Sequence, residues 1–133
     1  MQLFLLYLLY YDFFYYFLHR LLHTKELYPI HRIHHQKYIP SYYDYYTIHI
    51  VEIPLTSAGL LLAMYFHKVH IYQLLSCIIF INIRGIMAHD ARFICLVGDH
   101  HLLHHKYFKC NYGEYWLDYI FNTNHTNRDI KEE

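Results

Sequence analysis

The sequence predicts an all-α fold: an integral membrane helical bundle of about three spans, with cytosolic helices carrying clustered histidines. Three observations predict it. Apolar stretches near the length of a membrane span occur at residues 1–18, Thr47 to Phe66 and Val69 to Met87. Hydrophobic residues make up 56% of the chain and aromatics 20%, with only four Gly and three Pro, which suits long uninterrupted helices. The bases are also unevenly placed: Arg20, Lys25, Arg32 and Lys37 in the first loop, only Lys68 in the turn between the later stretches, and six from Arg84 onward. Three spans with the first loop and the C-terminal region cytosolic obey the positive-inside rule.

Taken in order, residues 1–18 form an apolar, tyrosine-rich run broken only by Asp12. A positive n-region and a small-residue cleavage site are missing, so the run reads as a membrane helix and not as a signal peptide. Asp12 is costly in lipid and should face the bundle interior. Between Pro29 and Pro40 a short helix is expected to carry HRIHHQKY, with Arg32 and Lys37 at the membrane surface or in solvent. The stretches Thr47 to Phe66 and Val69 to Met87 read as a helical hairpin, with His67 and His70 at the opposite membrane face from the other histidines. His49 and Glu52 share a helical face and are expected to pair with each other. Gly113 is expected to take a positive φ that ends the last histidine helix, and Trp116 to pack or anchor at the interface. Residues 1–123 form the membrane domain, and the polar segment 124–133 is a tail.

The chemistry lies in the histidines. His19 and His23 form an HxxxH, and His31, His34, His35 and His101, His104, His105 form two HxxHH boxes. Positions i, i+3 and i+4 of an α-helix share a face within roughly 6 Å of axis, so such imidazoles can converge on one ion. With 14 His in 133 residues, chance would supply roughly 0.15 copies of HxxHH. Two are present, so the pattern points to metal. Neutral imidazole suits iron, zinc, copper and nickel and disfavours calcium or magnesium. Eight nitrogens exceed the four of a structural zinc site, which favours two metals.

The order HRLLH, HRIHH, HHLLHH, followed by Asn111, Tyr112, Gly113, Trp116 and Asp118, resembles the membrane-bound fatty acid hydroxylase and sterol desaturase superfamily from about Tyr10 to Thr123. The resemblance implies two iron ions, O2 as co-substrate, and hydroxylation or desaturation of a lipid such as a fatty acyl chain or sterol. His89 matches the family's single histidine between the second and third boxes. The implied metal set is therefore His19, His23, His31, His34, His35, His89, His101, His104 and His105, with no catalytic residue beyond it. Asp99 or Asp90 would orient an imidazole, and Asn111 would hydrogen-bond one. The endoplasmic reticulum is the membrane implied, with the boxes facing the cytosol. Relative to the family the chain is short before the first box, so self-association into a homo-oligomer or a partner is expected to supply the missing bulk.

Other classes are disfavoured. Formal charge is zero, with 11 acids and 11 bases, which leaves no basic footprint for nucleic acid. Cys77, Cys95 and Cys110 contain no CxxC and suggest no disulfide framework. The sequon at Asn124 lies on the side assigned to the cytosol and is expected to be unused. No GxGxxG, flavin motif or CxxCH is present, so electrons must come from a separate reductase or cytochrome b5-like donor. The competing reading is a catalytically inactive membrane metal-binding or scaffold protein. A metal transporter is less suitable, because the histidines gather at one face instead of threading the spans.

Overall fold

The structure, a computed structural model, describes residues 2–68 and 70–125. It is all-helical, with no strand among the described residues. Helix α1 is Gln2–Leu22, α2 is the single turn Tyr28–His31, α3 is Glu52–Phe66 and α4 is Ile71–Ala88. After them come α5 (Ile94–Val97), α6 (His100–Tyr107) and α7 (Tyr115–Ile120), with 3-10 turns at His34–Gln36, Tyr42–Tyr46 and Ala91–Phe93. Helices α1, α3 and α4 form the long bundle, and the short elements cap its histidine end.

Two small clusters make the core. Tyr7, Ala63 and Cys77 pack together where α1, α3 and α4 meet, and Tyr16, Tyr112 and Leu117 tie α1 to the C-terminal elements. Helix α3 approaches α1 closely because Gly59 lacks a side chain. A Cβ there would lie 2.9 Å from Cδ1 of Phe14.

Outward, the bundle is apolar. On α1 the exposed residues Leu5, Leu9, Phe13, Phe17 and Leu21 recur every fourth position and draw a stripe along the helix. Ile53, Leu61, Ile79, Phe80 and Ile83 continue the exposed apolar surface on α3 and α4. Of the described helices, Ile71–Ala88 is long and apolar enough to cross a membrane, and Glu52–Phe66 is a shorter apolar helix. Helix α1 spans about 31 Å at 1.5 Å per residue, but its tyrosines lower its hydropathy.

Element boundaries differ from the sequence expectations in three places. The helix expected between Pro29 and Pro40 is two short pieces: His35 has φ −90° and ψ 19°, and Lys37 turns extended, its ammonium 2.8 Å from the Asp44 carboxylate. The second apolar stretch becomes helical only at Glu52, because Ser41 and Asp44 close a capping box that makes Tyr42–Tyr46 a separate 3-10 turn. The third begins at Ile71; Val69 lies outside the described residues, as do Met1 and 126–133, which hold most of the expected tail and the Thr126 of the sequon.

Candidate metal centre

Each histidine box reaches the centre from a different element. His19 lies in the last turn of α1, and His23 follows one turn on, its amide still bonded to the His19 carbonyl. His31 ends α2 and His34 and His35 open the next 3-10 turn; His89 caps α4, and His101, His104 and His105 lie on α6. These nine form two groups. His19, His23, His31, His35 and His104 offer nitrogens within 4.8 Å of one another, and His34, His89, His101 and His105 do the same. Both HxxHH boxes contribute to both groups, because neighbouring residues of a helical turn point about 100° apart.

Hydrogen bonds on the far side of several rings fix which nitrogen faces inward. His19 Nδ1 donates to the Tyr112 carbonyl at 2.6 Å and His104 Nδ1 to the Cys110 carbonyl at 2.6 Å. His31 Nδ1 donates to the Glu52 carboxylate at 2.7 Å, and His89 Nδ1 to the Gly85 carbonyl at 2.7 Å. Each such Nδ1 carries the proton, so each Nε2 presents a lone pair.

The inward nitrogens point at one another, and for His19 and His31, each protonated at Nδ1, two lone pairs meet. The Nε2 atoms of His19 and His31 are 3.0 Å apart, those of His31 and His35 3.1 Å, and those of His35 and His104 3.2 Å. In the second group the His34 to His89 and His89 to His101 separations are both 3.0 Å. Two lone pairs at this distance repel unless a cation lies between them. Imidazole ligands about 2.1 Å from one metal and at right angles stand about 3.0 Å apart. The donor set, neutral nitrogen throughout, fits a transition metal.

The electrostatics agree. Burial, reinforced by neighbouring imidazoles, pushes the pKa values of His34, His101 and His104 well below the usual imidazole range. Burial likewise lowers His105 to about 3, and it lowers His89 to about 4 against the opposing Gly85 hydrogen bond. At neutral pH these rings are uncharged and available as ligands.

The supporting residues differ from expectation. His49 and Glu52 do not pair through their side chains. Glu52 accepts from His31, and His49 meets it only through its backbone amide at 3.3 Å, while the His49 ring accepts from the Val51 amide. The α3 helix starts at Glu52 and turns its carboxylate to the buried side. Asp90 orients no imidazole, since Arg92 and the Tyr42 amide occupy it. Asp99 meets the Tyr115 hydroxyl at 3.4 Å. Asn111 bonds the His100 carbonyl and the His125 amide instead of a ligand ring. Positive φ falls on Gly98, Phe108, Asn111 and Asn122, not on Gly113, whose role is spatial: a Cβ would lie 2.9 Å from Cδ2 of Tyr16.

Asp118 holds this end of the molecule together. Its fully buried carboxylate accepts from His100 Nε2 at 3.0 Å, the Thr123 hydroxyl, and the Tyr112 and Gly113 amides. Burial would raise its pKa, but these four donors outweigh burial and hold it below the usual carboxylate value. Asp118 thereby fixes the loop whose carbonyls orient His19 and His104. The acidic partner of His31 and the loop carbonyls were invisible in the histidine spacing. Only the Asn111 to Asp118 motif marked this region.

A cavity of about 940 Å3 runs from this centre between α1, α3 and α4, and His19, His31, His34, His89 and His101 line it. An all-helical bundle with two clusters of converging histidines, opening on a largely apolar cavity, defines a helical histidine-box protein whose clusters could each hold a metal ion. The chain belongs to the fatty acid hydroxylase family, whose model matches residues 4–123.

Among curated relatives, it is 32% identical over 116 residues to a Delta(7)-sterol 5(6)-desaturase, erg31, of Schizosaccharomyces pombe, covering 83% of this chain and 39% of that protein. It is 32% identical over 128 residues to the Delta(7)-sterol 5(6)-desaturase ERG3B of Gibberella zeae, covering 86% and 39%. To the lathosterol oxidase of Homo sapiens it is 30% identical over 114 residues, covering 79% and 38%. The chain thus spans about two fifths of the length of these relatives. No solved structure matches it at comparable stringency.

Proposed function

We propose that this chain is a membrane-bound, O2-dependent diiron oxidoreductase that desaturates or hydroxylates a lipid, with a sterol as the favoured substrate class. The observation that carries the reading is the convergence of imidazole lone pairs in two adjacent groups. One ion would be held by His19, His23, His31, His35 and His104, and the other by His34, His89, His101 and His105. Iron in such a centre supplies the activation of O2 needed to remove hydrogen from an unactivated C–H bond.

The chain's own residues do the positioning. Glu52 and the Tyr112, Cys110 and Gly85 carbonyls hold the Nδ1 protons, so that each Nε2 stays aimed inward. The cavity falls within the roughly 300–1,000 Å3 of small-molecule sites, and side chains such as Leu8, Leu60, Ile78 and Ile81 exclude water from the reacting carbon. The sterol names of the relatives favour a sterol over a fatty acyl chain. Electrons come from a separate cytochrome b5-like or reductase donor. The apolar stripe on α1 and the exposed faces of α3 and α4 meet lipid, with the histidines at the cytosolic side of an endoplasmic reticulum membrane.

The test expresses the chain and His104→Ala with a reductase supplied, followed by metal analysis and lipid profiling. About two irons per wild-type chain and a new unsaturated or hydroxylated sterol absent from the variant are the expected result. Bound zinc with identical lipid profiles would instead favour the inactive metal-binding scaffold.

A further inference from the structure

The cavity is not uniformly apolar. On one side Asp12 of α1, Arg84 of α4, and Glu114 and Trp116 at the start of α7 all line it, and none bonds to a metal-centre histidine. Arg84 Nη2 donates to Glu114 Oε2 at 2.6 Å, and the Trp116 indole lies beside the Asp12 carboxyl. These four residues come from three separate stretches of the sequence and meet on one wall. Asp12 stands seven residues before His19, which is about 10 Å along α1. Arg84 is one turn before Ala88, beside the capping His89.

A ligand of pure hydrocarbon would strip water from two carboxylates and a guanidinium and return no hydrogen bond, at a cost of several hydrogen bonds' worth of affinity. The cluster has capacity to spare. A carboxylate offers about four lone-pair sites and Trp116 engages at most one; a guanidinium has five N–H donors and Glu114 takes one. The charge balance also discriminates. Glu114 already pairs the Arg84 guanidinium, and Glu114 and Asp12 stand close enough to repel an anionic head, so a free fatty acid suits the site poorly. A neutral hydroxyl suits it well, sharing a hydrogen bond with Asp12 and accepting one from Arg84 through its oxygen.

We propose that Asp12, Arg84, Glu114 and Trp116 form a hydroxyl-recognition site that selects an uncharged lipid alcohol and sets its distance from the histidine centre. The proposal rests on the lipid-oxidising reading for its choice of ligand, but it concerns binding alone and needs neither iron nor reductant.

The experiment uses the purified full chain in nanodiscs and measures equilibrium binding of three tritiated probes: a Δ7-sterol, the same sterol lacking its hydroxyl, and oleate. Wild type should bind the alcohol about tenfold more tightly than the deoxy analogue, the gain expected from a charge-assisted hydrogen bond, and oleate more weakly than either. Asp12→Leu should reduce the alcohol preference to about twofold or less while binding of the deoxy analogue is unchanged or improved. The double variant Arg84→Leu with Glu114→Leu, which replaces charges by apolar bulk, should lose the preference too and serves if Asp12→Leu does not fold, as judged by helix content in circular dichroism. A wild-type preference near one, or a full preference in either folded variant, overturns the proposal. Selective alcohol binding without turnover would leave this site standing while the oxygenase reading fails; turnover without selectivity would do the reverse.

Discussion

The five-histidine and four-histidine groups are made of one residue type but are held in different ways. In the first, three rings are pinned through Nδ1: His19 by the Tyr112 carbonyl and His31 by Glu52, both from distant elements, and His104 by the Cys110 carbonyl just beyond the end of its own helix. In the second, the Gly85 carbonyl one turn back on α4 pins His89, while His34 Nδ1, like His35 Nδ1 in the first group, is buried with no hydrogen-bond partner among the described residues. Three of the four members of the second group, His34, His89 and His101, face the cavity. The difference is one of anchoring and placement: the first group has three rings pinned against one in the second, and the second lies nearer the cavity.

The largest way to break this comparison is to delete one ligand from each group. His104→Ala should empty the first site and lower turnover by at least about 100-fold, while His101→Ala should lower affinity at the second site and leave the first metal bound. Metal stoichiometry after dialysis reads the outcome, and equal loss in both variants would mean that the groups are one cooperative unit. Next in size is Glu52→Leu, which frees the His31 ring; metal affinity should fall about 10- to 100-fold by chelator competition, with Glu52→Gln recovering part of it.

Asp118→Ala leaves four donors unpaired in a buried site and should cost roughly 3 kcal/mol of stability in denaturant unfolding. It should also loosen the first group more than the second, because it frees the loop that pins His19 and His104. A further effect, on the apo protein, is in acid. His89 sits at about 4 and His105 at about 3, each lowered from 6.5 in the folded, metal-free chain. The unfolded chain takes up protons that these rings refuse. Their contribution is therefore intact above pH 6.5 and falls away progressively as pH drops through that value toward 4 and then 3. A thermal midpoint of the apo protein that is flat between pH 7 and about 4.5 would contradict it.

How much the sequence revealed follows from what residue types can encode. The box histidines were legible because helical spacing converts directly into a shared face, and the short interruption at His35 did not scatter them. Their partition into two groups was not legible, since it depends on how three separate elements are docked. Glu52 was visible only as a neighbour of His49, because a one-dimensional pattern favours local partners over the ring of His31, 21 residues away. The Cys110 and Tyr112 carbonyls had no signature at all, since every residue carries a carbonyl. Helix α1 was anticipated at nearly its full length. The broken segment after Pro29 was not, because the interruption at His35 follows from how the histidines of this segment dock on the centre, which no local pattern encodes.

The loop at Cys110 to Tyr112 also bears on how the protein is made. It orients a ring on α1 that was translated 93 residues earlier, and one on α6 that precedes it by only six. On the ribosome, therefore, His19 waits in an unaimed state until Tyr112 has emerged. A chain stalled before Tyr112 would carry every histidine box yet lack the carbonyl that aims the first of them.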